Sequence, residues 1–445
     1  MSSNPTTINA VDRYAESRRL FEAAQEFLAG GNSRLTVYYK PHPVYVEHGE
    51  GAYLYDVDGN RYLDVINNYT SLIHGHAHPE VEAAAVAAMR SGTAFAAPTG
   101  AEIKLARLLC ERLPAVEQLR FVNSGTEAVM MAVKAARAFT GKPDIAKFEG
   151  AYHGAYDYVE VSLASSPDNW GDASAPASIA YSAGVPRTVL DEVVVLPFNH
   201  IEETRALLRR HKDRLAAVLI DVLPSRVGLV PATREFVAAL QEECHALGIL
   251  LISDEVISFR VDYHGAQGAF DFEPDLTTLA KIIGGGFPVG AVGGRREVMA
   301  VFDATEKSPM VPHGGTFNAN PVTMAAGLKA MELLTPAVFN RLNAQGEQLR
   351  QSLSDIIRLS EVEWQVTGAG SLFRLIPTRE PLTDYRSAHL TREQSERAAQ
   401  LHWDLMNRGV FIGSGGFGCL STPMGSAELE SVIYAVENVL QSSDG

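Results

Sequence analysis

Lys281 follows the apolar run Leu-Thr-Thr-Leu-Ala and precedes three consecutive glycines, Gly284 to Gly286. A lysine held in a protein interior is costly to keep charged. Its pKa falls, and the neutral amine becomes available as a nucleophile. The glycines would let the backbone approach a bound group closely. Taken alone, Lys281 reads equally well as a strand-end lysine whose ammonium reaches out to solvent. Asp254 ends another apolar run, Ile-Leu-Leu-Ile-Ser. That position falls at the carboxyl edge of a sheet, where open α/β folds bind ligands. A bland reading of Asp254 is a helix N-cap. With Glu255 beside it a metal site is conceivable, but no histidine pair stands at a ligand spacing.

Two further clusters match the first pair. Ser124-Gly125-Thr126 follows Leu-Arg-Phe-Val-Asn and opens a run of good helix formers. Backbone N–H groups at a helix N-terminus form an anion site suited to a phosphate, although Ser and Thr cap many helices without one. Tyr152-His153-Gly154 closes a third strand-like run, and the Tyr152 ring could stack on a flat heterocycle or simply pack. A phosphate cradle, an aromatic plate, a strand-end acid and a glycine-flanked lysine together match pyridoxal 5′-phosphate (PLP). The acid would keep the ring nitrogen protonated as an electron sink and the lysine would bind the aldehyde.

Elements that must position these residues can be read from periodicity. Residues 9–29 carry a helical apolar stripe ended by Gly30-Gly31. The next stretch, to about residue 65, alternates apolar and polar residues around turns, as a β-meander does. Its Asp56-Val57-Asp58-Gly59-Asn60 reads as turn chemistry, because glycine falls at the fourth position and no Glu closes a calcium loop. From about residue 100, short apolar strands alternate with helices, which predicts a mostly parallel sheet covered on both faces. Residues 162–186, rich in Ser, Ala, Pro and Gly, read as a long loop. Helices are expected over 335–357, 391–408 and 426–441, around the strands Ser-Leu-Phe-Arg-Leu-Ile and Gly-Val-Phe-Ile. The fold class is therefore α/β, in three segments: 1–65 as part of a small domain, 66–334 as the large domain, and 335–445 completing the small α+β domain.

The 445 residues carry a formal net charge of -15 and 20% charged side chains. An acidic balance without a basic run argues against nucleic acid or an anionic membrane surface as partner. Cys110, Cys244 and Cys419 are too scattered for a disulfide framework or a zinc site. No secretory signal is visible and no apolar run approaches the roughly 20 residues that span a bilayer, so a cytoplasmic protein is expected.

From about Gly30 to the C-terminus the chain resembles the class III aminotransferases and glutamate-1-semialdehyde aminomutases, within the fold-type I PLP enzymes. The resemblance rests on GGNSR, DVDGNRYLD, GHAHPEV, FVNSGTEAVMMAVKAARAFTG, FEGAYHG, SDEVISFR, the Lys281 segment and HGGTFNANPVTMAAG, all in the family's order. His74, His76 and His78 then belong to a family loop and need no metal. The resemblance implies Lys281 as the cofactor-binding lysine and proton carrier, and Asp254 at the ring nitrogen. Val256 and Tyr152 would lie on opposite ring faces, with Ser124, Gly125 and Thr126 on the phosphate. Thr316 would reach the phosphate of a neighbouring subunit, which implies a homodimer with shared active sites.

Within the family, Arg34 stands where the β-amino-acid (β-phenylalanine) aminotransferases carry a carboxylate-binding arginine. The segment SDEVISFRVDYHG also has the length of that group. Two departures stand out. Asp221-Val222 replaces the usual Glu-Pro, and Gly415 stands where the β-phenylalanine enzymes have an arginine; Arg226 is the replacement expected from sequence. The implied activity is transfer of an amino group from a β-amino acid, aromatic by expectation, to a 2-oxo acid. The alternatives are an aminomutase, a D-phenylglycine-type or amine transaminase, or a PLP-binding protein without catalysis.

Overall fold

A computed structural model describes residues 12–305 and 307–442. Its centre is a seven-stranded sheet. In spatial order the strands are Gln118–Val122, Gly290–Gly294, Leu276–Ala280, Leu250–Asp254, Leu215–Ile220, Asp144–Phe148 and Val193–Leu196. Only Gly290–Gly294 runs antiparallel to its neighbours. Parallel strands with both faces covered read as unbroken apolar runs, and Leu215–Ile220 is buried at every position. Along it Ala217 and Leu219 pack on one face, with Val129, Ala132 and Val133 of the helix Gly125–Thr140. Val218 and Ile220 pack on the other, with Phe236, Val237 and Leu240 of the helix Arg234–Leu247. Each such buried aliphatic or aromatic side chain stabilises the layer by about 1.5–3 kcal/mol. The sheet is thus a firm base for the loops at its carboxyl edge.

The meander is present as the antiparallel strands Val46–Glu50, Tyr53–Asp56 and Arg61–Asp64. A fourth strand, Val410–Phe411, lies parallel to Arg61–Asp64, so the two ends of the chain share one sheet. Asp56 holds the intervening turn: Oδ1 accepts from the backbone N–H groups of Asp58 and Asn60, and Oδ2 accepts from the Tyr62 hydroxyl at 2.7 Å. A third sheet, Gln365–Thr367, Leu372–Ile376 and Phe417–Cys419, packs with the helices Pro336–Leu359, Arg392–Asn407 and Ser426–Ser442. Thr391 and Gln394 form a reciprocal capping box that starts the second of these helices. Fully buried Arg260 donates to Ser371 Oγ, Thr70 O and Leu420 O and so ties this sheet to the active-site side of the large domain.

Two elements differ from the sequence pattern. Residues 9–11 lie outside the described part, and the first helix covers only Ala15–Ala24. Turns follow from Gln25, and at Gly31 the φ is 78° and the missing Cβ leaves room for the Phe21 ring of the helix. Phe27, counted into the expected helix, is 81% exposed. The stretch 162–186 is not wholly irregular: Gly171–Asp172 pairs with Ala175–Pro176 in a small ladder.

Candidate active site

Five strand ends meet at one edge of the central sheet. Val122 leads into Gly125, Phe148 into Tyr152, Ile220 into Asp221; Asp254 ends its own strand, and Ala280 leads into Lys281. The loops they carry enclose a cavity of about 360 Å³, lined by Gly125, Thr126, Tyr152, Asp254, Val256 and Lys281 together with Asn68, His153 and Asp221. Six of the ten residues expected to form the site are thus brought to one wall.

Lys281 has φ 53°, in the left-handed region that lysine seldom adopts. Strain of this kind persists only where surrounding structure imposes it, and it clusters at functional sites. The turn aims the amine into the cavity instead of along the strand. Burial lowers the Lys281 pKa to about 8, against the opposing pull of Asp254 and then Asp221. Asp221 itself is pushed up to about 8, first by burial and then by the negative charge of Asp254. Its Oδ1 accepts from the N–H of Leu223 at 2.9 Å.

Asp254 is 4% exposed and collects three hydrogen bonds. Oδ1 accepts from Val256 N and from Thr278 Oγ1, each at 3.1 Å, and Oδ2 is 2.7 Å from His153 Nδ1. Burial lowers the pKa of His153 even though Asp254 opposes the shift. A neutral imidazole with its proton on Nδ1 therefore donates to the carboxylate. In the sequence His153 stands only as the middle of the Tyr-His-Gly loop. A polar residue next to the aromatic at the same strand end was the available signal.

The Ser124 hydroxyl accepts from Glu127 N at 3.1 Å and is the N-cap of the sixteen-residue helix Gly125–Thr140. That bond uses the oxygen as an acceptor and leaves the Ser124 O–H free to donate to an anion, beside Gly125 and Thr126, which line the cavity. The backbone is cut to fit. A Cβ at Gly125 would stand 3.1 Å from Val256 Cγ2, and one at Gly154 would stand 2.5 Å from Thr126 Oγ1.

Arg34 sits outside the cavity wall but is joined to it: Nη1 donates to Asn68 Oδ1 at 2.9 Å, with the guanidinium 5.7 Å from the Tyr69 ring. Asn67, Asn68, Tyr69 and Thr70 all have positive φ, a left-handed turn that turns Asn68 into the cavity. Arg226, in the short turn Ser225–Val227, is exposed, stands 6.0 Å over the Tyr181 ring and does not line the cavity. Thr316 is exposed on the turn after His313, away from the cavity of its own chain. His74 and His76 are used structurally, the first on Ala330 O and the second on Asp64 Oδ2.

A family model described as "Aminotransferase class-III" matches residues 35–417. The chain belongs to the class III aminotransferase family. It is 53% identical to an ω-transaminase of known structure from Sphaerobacter thermophilus, with TM-score 0.95 over 98% of this chain and all of that one. It is 39% identical to the glutamate-1-semialdehyde 2,1-aminomutase of Methanothermobacter thermautotrophicus, over 96% of the chain and 99% of the relative. The β-phenylalanine transaminase of Variovorax paradoxus is 38% identical over 96% of the chain and 92% of its own length. The protein is thus a PLP-dependent transaminase of fold type I, using an amino donor and an oxo acceptor. The residues fit the cofactor: a helix N-terminus kept clear of side chains, a buried carboxylate with fixed donors and a lysine amine share one cavity.

Proposed function

We propose that this aminotransferase takes its amino group from a β-amino acid, aromatic by preference, and passes it to a 2-oxo acid. Arg34 carries the reading. Its guanidinium is at the cavity rim, oriented by Asn68 and the Tyr69 ring. A planar fork there suits a carboxylate held away from the reacting amine. The likeness to the Variovorax β-phenylalanine transaminase supports the same donor class.

When bound, PLP supplies an aldehyde that takes up amines and a ring that accepts electron density from the substrate carbon. Lys281 Nζ is the amine that would hold the cofactor's aldehyde, and as a free amine it would carry the proton at the substrate carbon. Its lowered pKa leaves much of the free amine uncharged near pH 8. Asp254 would hold the proton on the ring nitrogen, and His153 fixes the carboxylate. Ser124, Gly125 and Thr126 would take the phosphate, and Tyr152 and Val256 would bound the ring from either side. Thr316, exposed and not lining the cavity of its own chain, would serve the phosphate bound by a second protomer of a homodimer.

The second reading, an aminomutase, is favoured by the 39% identical archaeal relative. It moves the amino group within one molecule and consumes no 2-oxo acid. The test is to mix the holoenzyme with each enantiomer of β-phenylalanine, with α-phenylalanine and with glutamate-1-semialdehyde, following cofactor absorbance. A β-amino acid should bleach the lysine-bound band, and only a 2-oxo acid should restore it. Arg34→Ala should raise the donor KM at least tenfold. Turnover of glutamate-1-semialdehyde alone, with no response to β-amino acids, would overturn the reading.

A further inference from the structure

Arg374 lies in the middle of the strand Leu372–Ile376, among the buried Leu372, Phe373, Leu375 and Ile376. Its guanidinium is fixed by two neutral acceptors: Nε donates to Gly415 O at 3.0 Å and Nη1 to Ser225 O at 2.7 Å. Nη2 has no hydrogen-bond partner among the described residues. It stands 3.3 Å from where a Cβ on Gly415 would be. The guanidinium therefore occupies the space that the glycine leaves open.

Burial, and then the like charge of Arg226, lower the Arg374 pKa to about 10. Arg226 is the neighbour of Ser225 in the chain and stands over Tyr181, and its charge reaches Tyr152 in the cavity wall. No carboxylate of the described residues pairs with either arginine. Two adjacent cations without a counter-ion are unfavourable in the protein alone and are relieved by an anion that reaches both. Because Ser225 O and Gly415 O already orient the fork, little ordering remains to be done on binding.

We infer that Arg374 and Arg226 form an anion site beside Gly415 that binds the carboxylate of the 2-oxo acid acceptor. The assignment rests on the aminotransferase reading above and gives it its second carboxylate contact. Arg34 is tied to the cavity wall through Asn68, whereas Arg226, next to the Ser225 carbonyl that holds Arg374, stands over Tyr181 and its charge reaches Tyr152 of the wall. Donor and acceptor carboxylates thus have separate anchors. Arg226 alone, the residue singled out by sequence, is exposed and unsupported. Arg374 supplies the fixed member of the pair.

The test loads the protein with pyridoxamine 5′-phosphate and titrates 2-oxoglutarate and pyruvate by stopped-flow absorbance, so that no assumption about the donor enters. Arg374→Leu should raise the half-saturating concentration of 2-oxoglutarate at least 30-fold, and Arg226→Ala about fivefold. Arg374→Leu combined with Gly415→Arg returns a guanidinium to the same space and should recover most of the loss. A half-saturating concentration within twofold of the parent in Arg374→Leu, with parental thermal midpoint and cofactor absorbance, would overturn the site. Should Arg374→Leu not fold, the exposed Arg226→Glu places a carboxylate where the acceptor's belongs. It should then weaken 2-oxoglutarate at least tenfold, and no change there would equally overturn the site. A parent that ignores every 2-oxo acid would instead overturn the aminotransferase reading on which the site rests.

Discussion

His153 Nδ1 and Asp254 Oδ2 lie 2.7 Å apart with both side chains buried, and His153 Nε2 has no hydrogen-bond partner among the described residues. The histidine therefore acts on the carboxylate alone and fixes where its charge points. A hydrogen bond to a charged group contributes about 1.5–3 kcal/mol, or roughly 10- to 150-fold in rate if it is needed in the transition state. His153→Phe should lower kcat about 10- to 100-fold, leave the donor KM within about threefold and shift the absorbance maximum of the bound cofactor. Activity within twofold of the parent, with an unshifted spectrum, would remove His153 from the site.

Gly125 is where the helix terminus and the ring face compete for space. A Cβ there meets Val256 Cγ2 at 3.1 Å, Val256 Cγ1 at 3.2 Å and the Ala280 Cβ at 3.5 Å. Overpacking of this sort costs about 1–3 kcal/mol when neighbours must shift. Gly125→Ala should weaken PLP binding about tenfold and lower the thermal midpoint. Adding Val256→Ala, which removes both offending methyls, should return part of the stability, because residues in contact do not add independently. Strict additivity in the double variant would show that the two do not share the strain.

These cases also show what could be read before the fold was known. Lys281 and Asp254 were legible because each closes an apolar run, and a strand end in a parallel sheet has one destination, the carboxyl edge. Cavity-facing Asn68 was not, since it depends on four successive positive φ values from Asn67 to Thr70 that no local composition signals. Arg374 was hidden for a different reason. It meets Gly415 only because its strand pairs Arg374 with Phe417, bringing the turn at 413–416 back over the guanidinium. Ser124 serves both readings of its Ser-Gly-Thr context: its oxygen caps the helix by accepting from Glu127 N, and its O–H remains a donor for an anion at the same terminus. Pattern identifies the edge on which chemistry happens, while register and loop geometry decide which side chains face it.

Lys147 provides a test of the interior beneath the site through pH. Its amine is fully buried in the strand Asp144–Phe148 and donates to Val161 O at 2.8 Å and Phe148 O at 3.1 Å. Burial pulls its pKa down to about 7, with Glu149 opposing. In the unfolded chain the pKa returns to about 10.4. Between those two values the unfolded state holds a proton that the folded state lacks, so this residue makes stability rise with pH across that window and contributes no slope below it. Lys147→Met removes the term. The variant's stability relative to the parent should therefore be greatest at pH 7 and below and decline towards pH 10, by up to about 1.4 kcal/mol per pH unit. Urea unfolding of both proteins at pH 7.0, 8.5 and 10.0 measures this directly. Lys281, whose pKa is also lowered, contributes equally to both proteins and cancels in the difference. Parallel pH curves would mean that Lys147 keeps its proton in the folded protein, with the two carbonyl oxygens stabilising a buried ammonium.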